Sequence, residues 1–246
     1  MKYNVNKRPI TFSVTSPIPC PYLEGKIERR LVTNLCNKDS IPLHDRLSRA
    51  GFRRSHNLVY APVCDSCSAC IAVRCLVNEF KTSNSQRRIL RLNQNLNVIE
   101  TPAQATAERF ELFSMYQTSR HTGGDMATMD YYDFQALIEE TPVVTSIIDF
   151  YDPEDTLIGG CLVDIMDDGL SAVYSYFHPD YKKNSLGSYI ILWLIKRAKQ
   201  LSLPYLYLGY WVSGSQKMVY KDKFQPLEYY NTNGWQKFNR GNLELI

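Results

Sequence analysis

Three cysteines recur at intervals of three, Cys64-x-x-Cys67-x-x-Cys70, inside the stretch Tyr60-Ala-Pro-Val-Cys-Asp-Ser-Cys-Ser-Ala-Cys-Ile-Ala-Val-Arg74. Thiolates at this spacing can share a soft metal ion. A fourth from Cys20 would complete the set that tetrahedral zinc or an iron–sulfur cluster takes. The same residues also suit a redox-sensitive loop or a structural role without metal. Cys75 reads as a spare thiol turned inward on a strand, and Cys36 and Cys161 as plain thiols. His121 and Asp125 stand four apart around Gly123-Gly124. An aspartate can orient an imidazole that takes a proton; the same residues also suit a helix-end turn bent by glycine. Tyr174-Ser175-Tyr176 sets three hydroxyls in succession, for use as donors or as ordinary strand residues.

Such groups need a scaffold, and a chain of 246 residues can bury a core as one large or two modest domains. Hydrophobic residues at 44% and charged residues at 22% are the balance of a water-soluble globular protein. A net charge of +3 argues against holding long nucleic acid by bulk charge and leaves room for a local basic patch. No basic–apolar–small leader opens the chain. No apolar run approaches the roughly 20 residues of a membrane span, so a cytoplasmic protein without membrane contact is expected. Seven cysteines in a reducing compartment imply free thiols or metal ligands in place of a disulfide framework.

Along the chain, Ile10–Val14 reads as a short strand and Ser16–Leu23, with three prolines, as an extended loop carrying Cys20. Leu43–Arg49 reads as a helix, Leu58–Ala61 as a strand into the cysteines, and Cys70–Val77 as a strand out of them. Ser83–Leu92 has helical spacing and clusters Arg87, Arg88 and Arg91 with Lys81. Thr101-Pro102 is the expected boundary between a domain of residues 1–100 and one of residues 101–246. Beyond it the pattern predicts helices over Ala103–Ser119 and Asp130–Glu140 and strands over Val143–Phe150, Leu157–Ile165 and Leu170–Phe177. A helix over Ser185–Leu201, a strand over Pro204–Trp211 and a last helix complete the order. Antiparallel strands, then a helix, then a parallel neighbour, make an α+β fold of the GNAT acyltransferase type, mixed and mainly antiparallel. The cysteine-bearing first domain would itself be GNAT-like or α+β.

Seven motifs stand in one order: Ala50-Gly-Phe-Arg-Arg-Ser55; Leu58-Val-Tyr-Ala-Pro62; the cysteines ending in Val-Arg74; Ser119-Arg-His121-x-x-Gly-Asp-Met126; Tyr174-Ser-Tyr-Phe-x-Pro179; Ser185-Leu-Gly187; and Pro204-Tyr-Leu-Tyr-Leu-Gly-Tyr-Trp211 with Lys217-Met-x-Tyr-Lys221 behind it. Over roughly residues 10–235 this set resembles the short bacterial branch of the arginyl-tRNA–protein transferase family. The resemblance implies a cytoplasmic enzyme that moves leucine from leucyl-tRNA to the α-amino group of proteins beginning with Asp or Glu. The added residue marks those proteins for the downstream N-degron machinery. It implies a GNAT-like fold that uses aminoacyl-tRNA in place of acetyl-CoA, with no cofactor required for the chemistry. Some eukaryotic relatives bind an iron–sulfur cluster through N-terminal cysteines in a different arrangement, so zinc, a cluster or neither stays open here.

Aminolysis of an activated ester chiefly needs two substrates positioned, which alone is worth roughly 7–11 kcal/mol. The attacking amine must lose a proton, the oxyanion needs donors and the ribose oxygen must leave protonated. Against those demands His121 and Asp125 are the candidate base pair, and Tyr174, Ser175 and Tyr176 the candidate donors. An acidic first residue calls for directional cations, with Arg53, Arg54, Arg74 and Arg120 as candidates. Ser185-Leu-Gly187 opens a helix where CoA-dependent relatives carry a longer glycine-rich loop; its N-terminus would face the tRNA 3′ end. Lys182, Lys183, Lys217, Lys221 and Lys223 would add phosphate contacts, and Tyr210, Trp211 and Tyr220 faces for the terminal adenine. Competing readings are an arginyltransferase of the same family, a CoA-dependent GNAT N-acetyltransferase and a zinc-bearing nucleic-acid module.

Overall fold

Alternation of apolar side chains drives three strands into an antiparallel meander: β9 (Thr145–Tyr151), β10 (Leu157–Ile165) and β11 (Gly169–Phe177). The protein is described from a computed structural model, over residues 9–35, 38–120 and 125–239. Side chains that alternate along a strand leave on opposite faces. Thus Ile147 enters one core and Ile148 the other, and Leu162 opposes Cys161 and Val163. Both faces therefore need a cover. α5 (Leu186–Gln200) and α2 (Asn84–Leu92) cover one. α3 (Ala107–Arg120) and α4 (Tyr131–Glu139) cover the other. The first hairpin turns at Asp152, whose Oδ1 accepts from the backbone of Glu154 and Thr156 at 3.1 and 2.9 Å. Such an aspartate turn mimics a backbone turn.

β12 (Tyr205–Val212) returns parallel to β11. The two pair only over Gly169–Ser171 against Tyr205–Tyr207, and beyond that point they diverge. The other edge of β12 is held by β7 (Cys70–Leu76), antiparallel, with an irregularity at Tyr207/Gly209. β13 (Leu227–Asn231) pairs with β7, and β14 (Gly234–Lys237) with β13. β8 (Asn97–Pro102) lies against β9 at the far edge, giving eight strands in the order β14-β13-β7-β12-β11-β10-β9-β8. This large sheet therefore takes strands from both sides of residue 100.

The remaining N-terminal residues build a smaller sheet from β1 (Ser13–Val14), β4 (Arg30–Asn34), β6 (Leu58–Pro62) and β5 (Arg53–Ser55). A two-stranded ribbon joins β2 (Ile18–Pro19) to β3 (Ile27–Glu28). α1 (Ser40–Arg49) packs Leu47 with Leu35, Val59 and Val143. The small sheet is tied to the large one by a buried ion pair. Arg54 donates two bonds of 2.7 Å to Asp164 on β10, which also accepts from Thr145 Oγ1 at 2.9 Å.

The α+β, mainly antiparallel GNAT-like architecture is present, with several local corrections. The strand expected over Ile10–Val14 spans just Ser13–Val14. Thr101-Pro102 lies at the end of β8; an edge strand tolerates proline's missing N–H. α3 accordingly starts at Ala107 and not at Ala103. The expected last helix is a single 3-10 turn, Val219–Lys223, followed by the β13–β14 hairpin. Ser16–Leu23 contains β2, paired to β3.

Candidate active site in the strand splay

Divergence of β11 from β12 leaves strand edges that pair with no strand among the described residues, and Arg53 is placed there. It projects from β5, bonds Ser171 Oγ at 3.0 Å and donates to the Ala172 carbonyl, the first beyond the paired stretch. Gly209 makes room for it. A Cβ at that position would lie 2.8 Å from Arg53 Nε, and the backbone φ of +75° suits glycine. Past Arg53, the residues Ala172–Ser175 of β11 are only partly buried, so this edge is open.

Two walls face each other across that edge. One is the turn after β12. Lys221 is buried there, its Nζ donating to the Tyr210 carbonyl at 2.6 Å and lying 3.6 Å from Met218 Sδ. No carboxylate pairs with it among the described residues. Burial, reinforced by the Arg53 guanidinium, pushes the amine down to about 7, with Cys70 pulling weakly the other way. Tyr220 beside it is half-buried, and its hydroxyl is raised to about 12, chiefly by desolvation and then by Tyr116. The other wall is α3 with the end of β11. Gln117, buried, donates to the Tyr174 hydroxyl at 2.6 Å. Its amide oxygen has no partner among the described residues. Arg120, exposed at the end of α3, stands 5.4 Å over the Phe177 ring, against which Tyr116 also packs. Gly187 lets α5 begin against the same ring, since a Cβ there would sit 3.0 Å from it. Ser185 precedes the helix in left-handed conformation and makes no side-chain cap.

The structure thus gathers Arg53, Tyr174, Tyr220 and Lys221 about the splay, with Arg120, Ser185 and Gly187 along its α3–α5 side. Other expected site residues lie elsewhere. Arg54 is consumed by Asp164. Arg74 bonds Glu228 Oε2 at 2.8 Å and Tyr207 Oη at 3.1 Å, and its guanidinium stacks 3.6 Å from the Tyr205 centroid and 4.2 Å from Trp235. Trp211 is wholly buried against Phe238 and offers no face for a base. Tyr210 is buried, its hydroxyl 3.2 and 3.0 Å from the carbonyls of Gly51 and Tyr60. Tyr176 is buried under Gly160, where a Cβ would meet its ring. Ser175 is half-buried opposite Cys161. Lys183, Lys217 and Lys223 are exposed. His121 and the side chains of Asp125 and Lys182 lie outside the described residues. Gln117 and Tyr116 were not expected here. Their signal was Gln117 at helical spacing beside the aromatic Phe113 and Tyr116, on a stripe that ends in Arg120.

Cys20, Cys64, Cys67 and Cys70 line one cavity of about 290 Å³ with Leu23, Lys26, Ile27, Glu28 and Val63. Burial, then the other three thiols, pushes Cys70 up to about 12. The four are free, and no three metal-binding side chains among the described residues close on a common point. Glu28 is committed to Arg30 through bonds of 2.9 and 2.7 Å. The arrangement of these described residues as it stands does not fit a bound ion.

A mainly antiparallel sheet split at a single parallel pair, with a helix starting at the split, defines a GNAT-like acyltransferase fold. Among solved structures, "Crystal structure of FemX" shares this fold with a TM-score of 0.52 at 9% identity, over 96% of this chain and 90% of that one. Residues 108–231 match the family model for the C terminus of arginine-tRNA-protein transferases, and residues 18–88 match that for the N terminus. The chain is 49% identical over 235 residues to the aspartate/glutamate leucyltransferase of Paramagnetospirillum magneticum, covering 96% of each. It is 51% identical over 243 residues to that of Gluconacetobacter diazotrophicus, covering 99% and 94%. The protein belongs to the arginine-tRNA-protein transferase family. Among its described residues no helix is long and apolar enough to cross a membrane.

Proposed function

We propose that this protein transfers leucine from leucyl-tRNA to the α-amino group of proteins that begin with Asp or Glu, in the cytoplasm, marking them for degradation. The observation that carries this reading is the open strand splay with a cation set in its floor, in a chain of this family. The amine nitrogen of the acceptor attacks the ester carbonyl carbon. The C–N bond forms, the ester C–O bond breaks and the ribose hydroxyl leaves with a proton, while the amine loses one. Arg53 fits the acidic side chain of the acceptor, because its guanidinium is already oriented and pairs with no carboxylate among the described residues. The Gln117–Tyr174 pair fits the developing oxyanion. The buried amine of Lys221, uncharged in part near neutrality, suits the proton taken from the acceptor. The N-terminus of α5 with Arg120 suits the terminal phosphates of the donor.

The test incubates the purified protein with radiolabelled leucyl-tRNA, arginyl-tRNA or acetyl-CoA and peptides beginning Asp, Glu or Ala. Transfer of leucine to Asp and Glu peptides, and not to Ala, is expected. Transfer from arginyl-tRNA alone would make it an arginyltransferase, and transfer from acetyl-CoA alone an acetyltransferase; either overturns the reading. Arg53→Ala should abolish the preference for Asp over Ala, whereas Arg74→Ala should act through stability and leave it intact.

A further inference from the structure

One charged surface lies outside the cleft and has no role in the reaction above. α2 buries Gln86 and Asn93 and turns Arg87, Arg88 and Arg91 to solvent. Lys81 is exposed just before it. Residues 80–96 hold four cations and no acid, so this short segment carries more than the whole chain's net charge of +3. Arg87 folds back onto the Thr82 carbonyl and Asn84, whereas Arg88 and Arg91 have no partner among the described residues.

The helix is pinned with care for so exposed an element. A reciprocal cap between Ser83 and Gln86 fixes its start. Gln86 Nε2 also donates to the Lys223 carbonyl at 2.9 Å, on the turn that holds Tyr220 and Lys221. Asn93 Nδ2 donates to the Asn184 carbonyl at 2.9 Å, next to Ser185 and the start of α5. Two buried amides therefore lock the arginine face to the two elements that carry the cleft. Satisfied buried polar contacts of this kind fix geometry more than they add stability.

We propose that this face of α2 docks the phosphate backbone of an RNA duplex, the acceptor arm of the donor tRNA, and so sets the reach of its 3′ end into the splay. This rests on the reading of the protein as an aminoacyl-tRNA transferase. Arginine suits phosphate because it donates in a planar fork. A rise of about 1.5 Å per residue spaces Arg88 and Arg91 by about 4.5 Å along one face of the helix, so the two long side chains can reach phosphates of one backbone. Residues 81–96 contain no aromatic side chain, and unpaired bases are usually gripped by stacking. The contact is therefore one of shape and charge to a duplex, not of sequence.

The experiment measures binding of uncharged tRNA to the full-length protein across a salt series. R88Q/R91Q should weaken binding about tenfold at low salt and flatten the dependence of log affinity on log salt by about one to two. R88K/R91K should retain most of both, and R88E/R91E should weaken binding further than R88Q/R91Q. In the transfer assay the R88Q/R91Q defect should be overcome by raising leucyl-tRNA and not by raising acceptor peptide. Equal affinity and equal salt slope for wild type and R88Q/R91Q would overturn the proposal. So would a defect confined to folded acceptor proteins, which would make the face a protein contact. Because the binding arm needs no chemistry, it is independent of whether the wild-type protein transfers leucine at all.

Discussion

Arg53 and Arg54 are neighbours on β5, and their guanidinium groups part company: one enters the splay, the other the buried carboxylate of Asp164. Side chains alternate along a strand, so two adjacent arginines in a sequence cannot share a fate, yet the sequence does not say which one is free. That choice depends on Asp164, 110 residues away. Lys221 was legible as a cation and illegible as a buried one, because its burial is made by the turn Val219–Lys223 packing on β12. It gives a pH prediction. Its amine is held down at about 7 against about 10.4 in an unfolded chain. Between those values the unfolded chain binds a proton that the folded protein does not, so stability rises with pH across that window. Below about 7 both states are protonated and the full penalty applies. Lys221→Met removes this contribution. The melting temperature of the variant relative to wild type should therefore be highest near pH 6–7 and fall steadily toward pH 9. A difference independent of pH would show that Lys221 keeps its ordinary pKa.

At the scale of elements, the meander β9–β11 and α5 were readable because each repeats its apolar period over seven residues or more. The hairpin β13–β14 was not, since Leu227-Glu-Tyr-Tyr-Asn231 and Gly234-Trp-Gln-Lys237 lack a regular apolar alternation and β13 gains its partner from β7. The splay itself leaves one trace, Gly209, at which β12 breaks register with β7 and lets Arg53 approach. Gly209→Ala adds a Cβ in a left-handed residue and against that guanidinium. It should cost about 1–3 kcal/mol, read from urea unfolding, and lower leucine transfer. Combining it with Arg53→Ala relieves the clash, so the double variant should lose less stability than the two single losses together. Strict additivity would mean that Gly209 does not make room for Arg53.

Across the whole molecule, an interior strand of the large sheet comes from the first third of the chain. β7 lies between β12 and β13, and no local pattern could have announced those partners. Buried Cys75 sits on β7 and buried Cys161 on β10. If the sheet opens as one unit, both thiols should become reactive toward an alkylating reagent at the same urea concentration; two separated midpoints would show that the halves open independently. The same topology governs how the protein is made. β7 leaves the ribosome about 130 residues before β12 follows, and at 5–20 residues per second the wait is on the order of ten seconds. Through that interval Ile71-Ala-Val-Arg-Cys-Leu76 has neither neighbouring strand, and an apolar strand without partners invites wrong ones. Arg74 interrupts the run with a charge, as gatekeeping residues do. In the finished fold that charge is silenced between Tyr205, Trp235 and Glu228, groups that emerge only when the danger has passed.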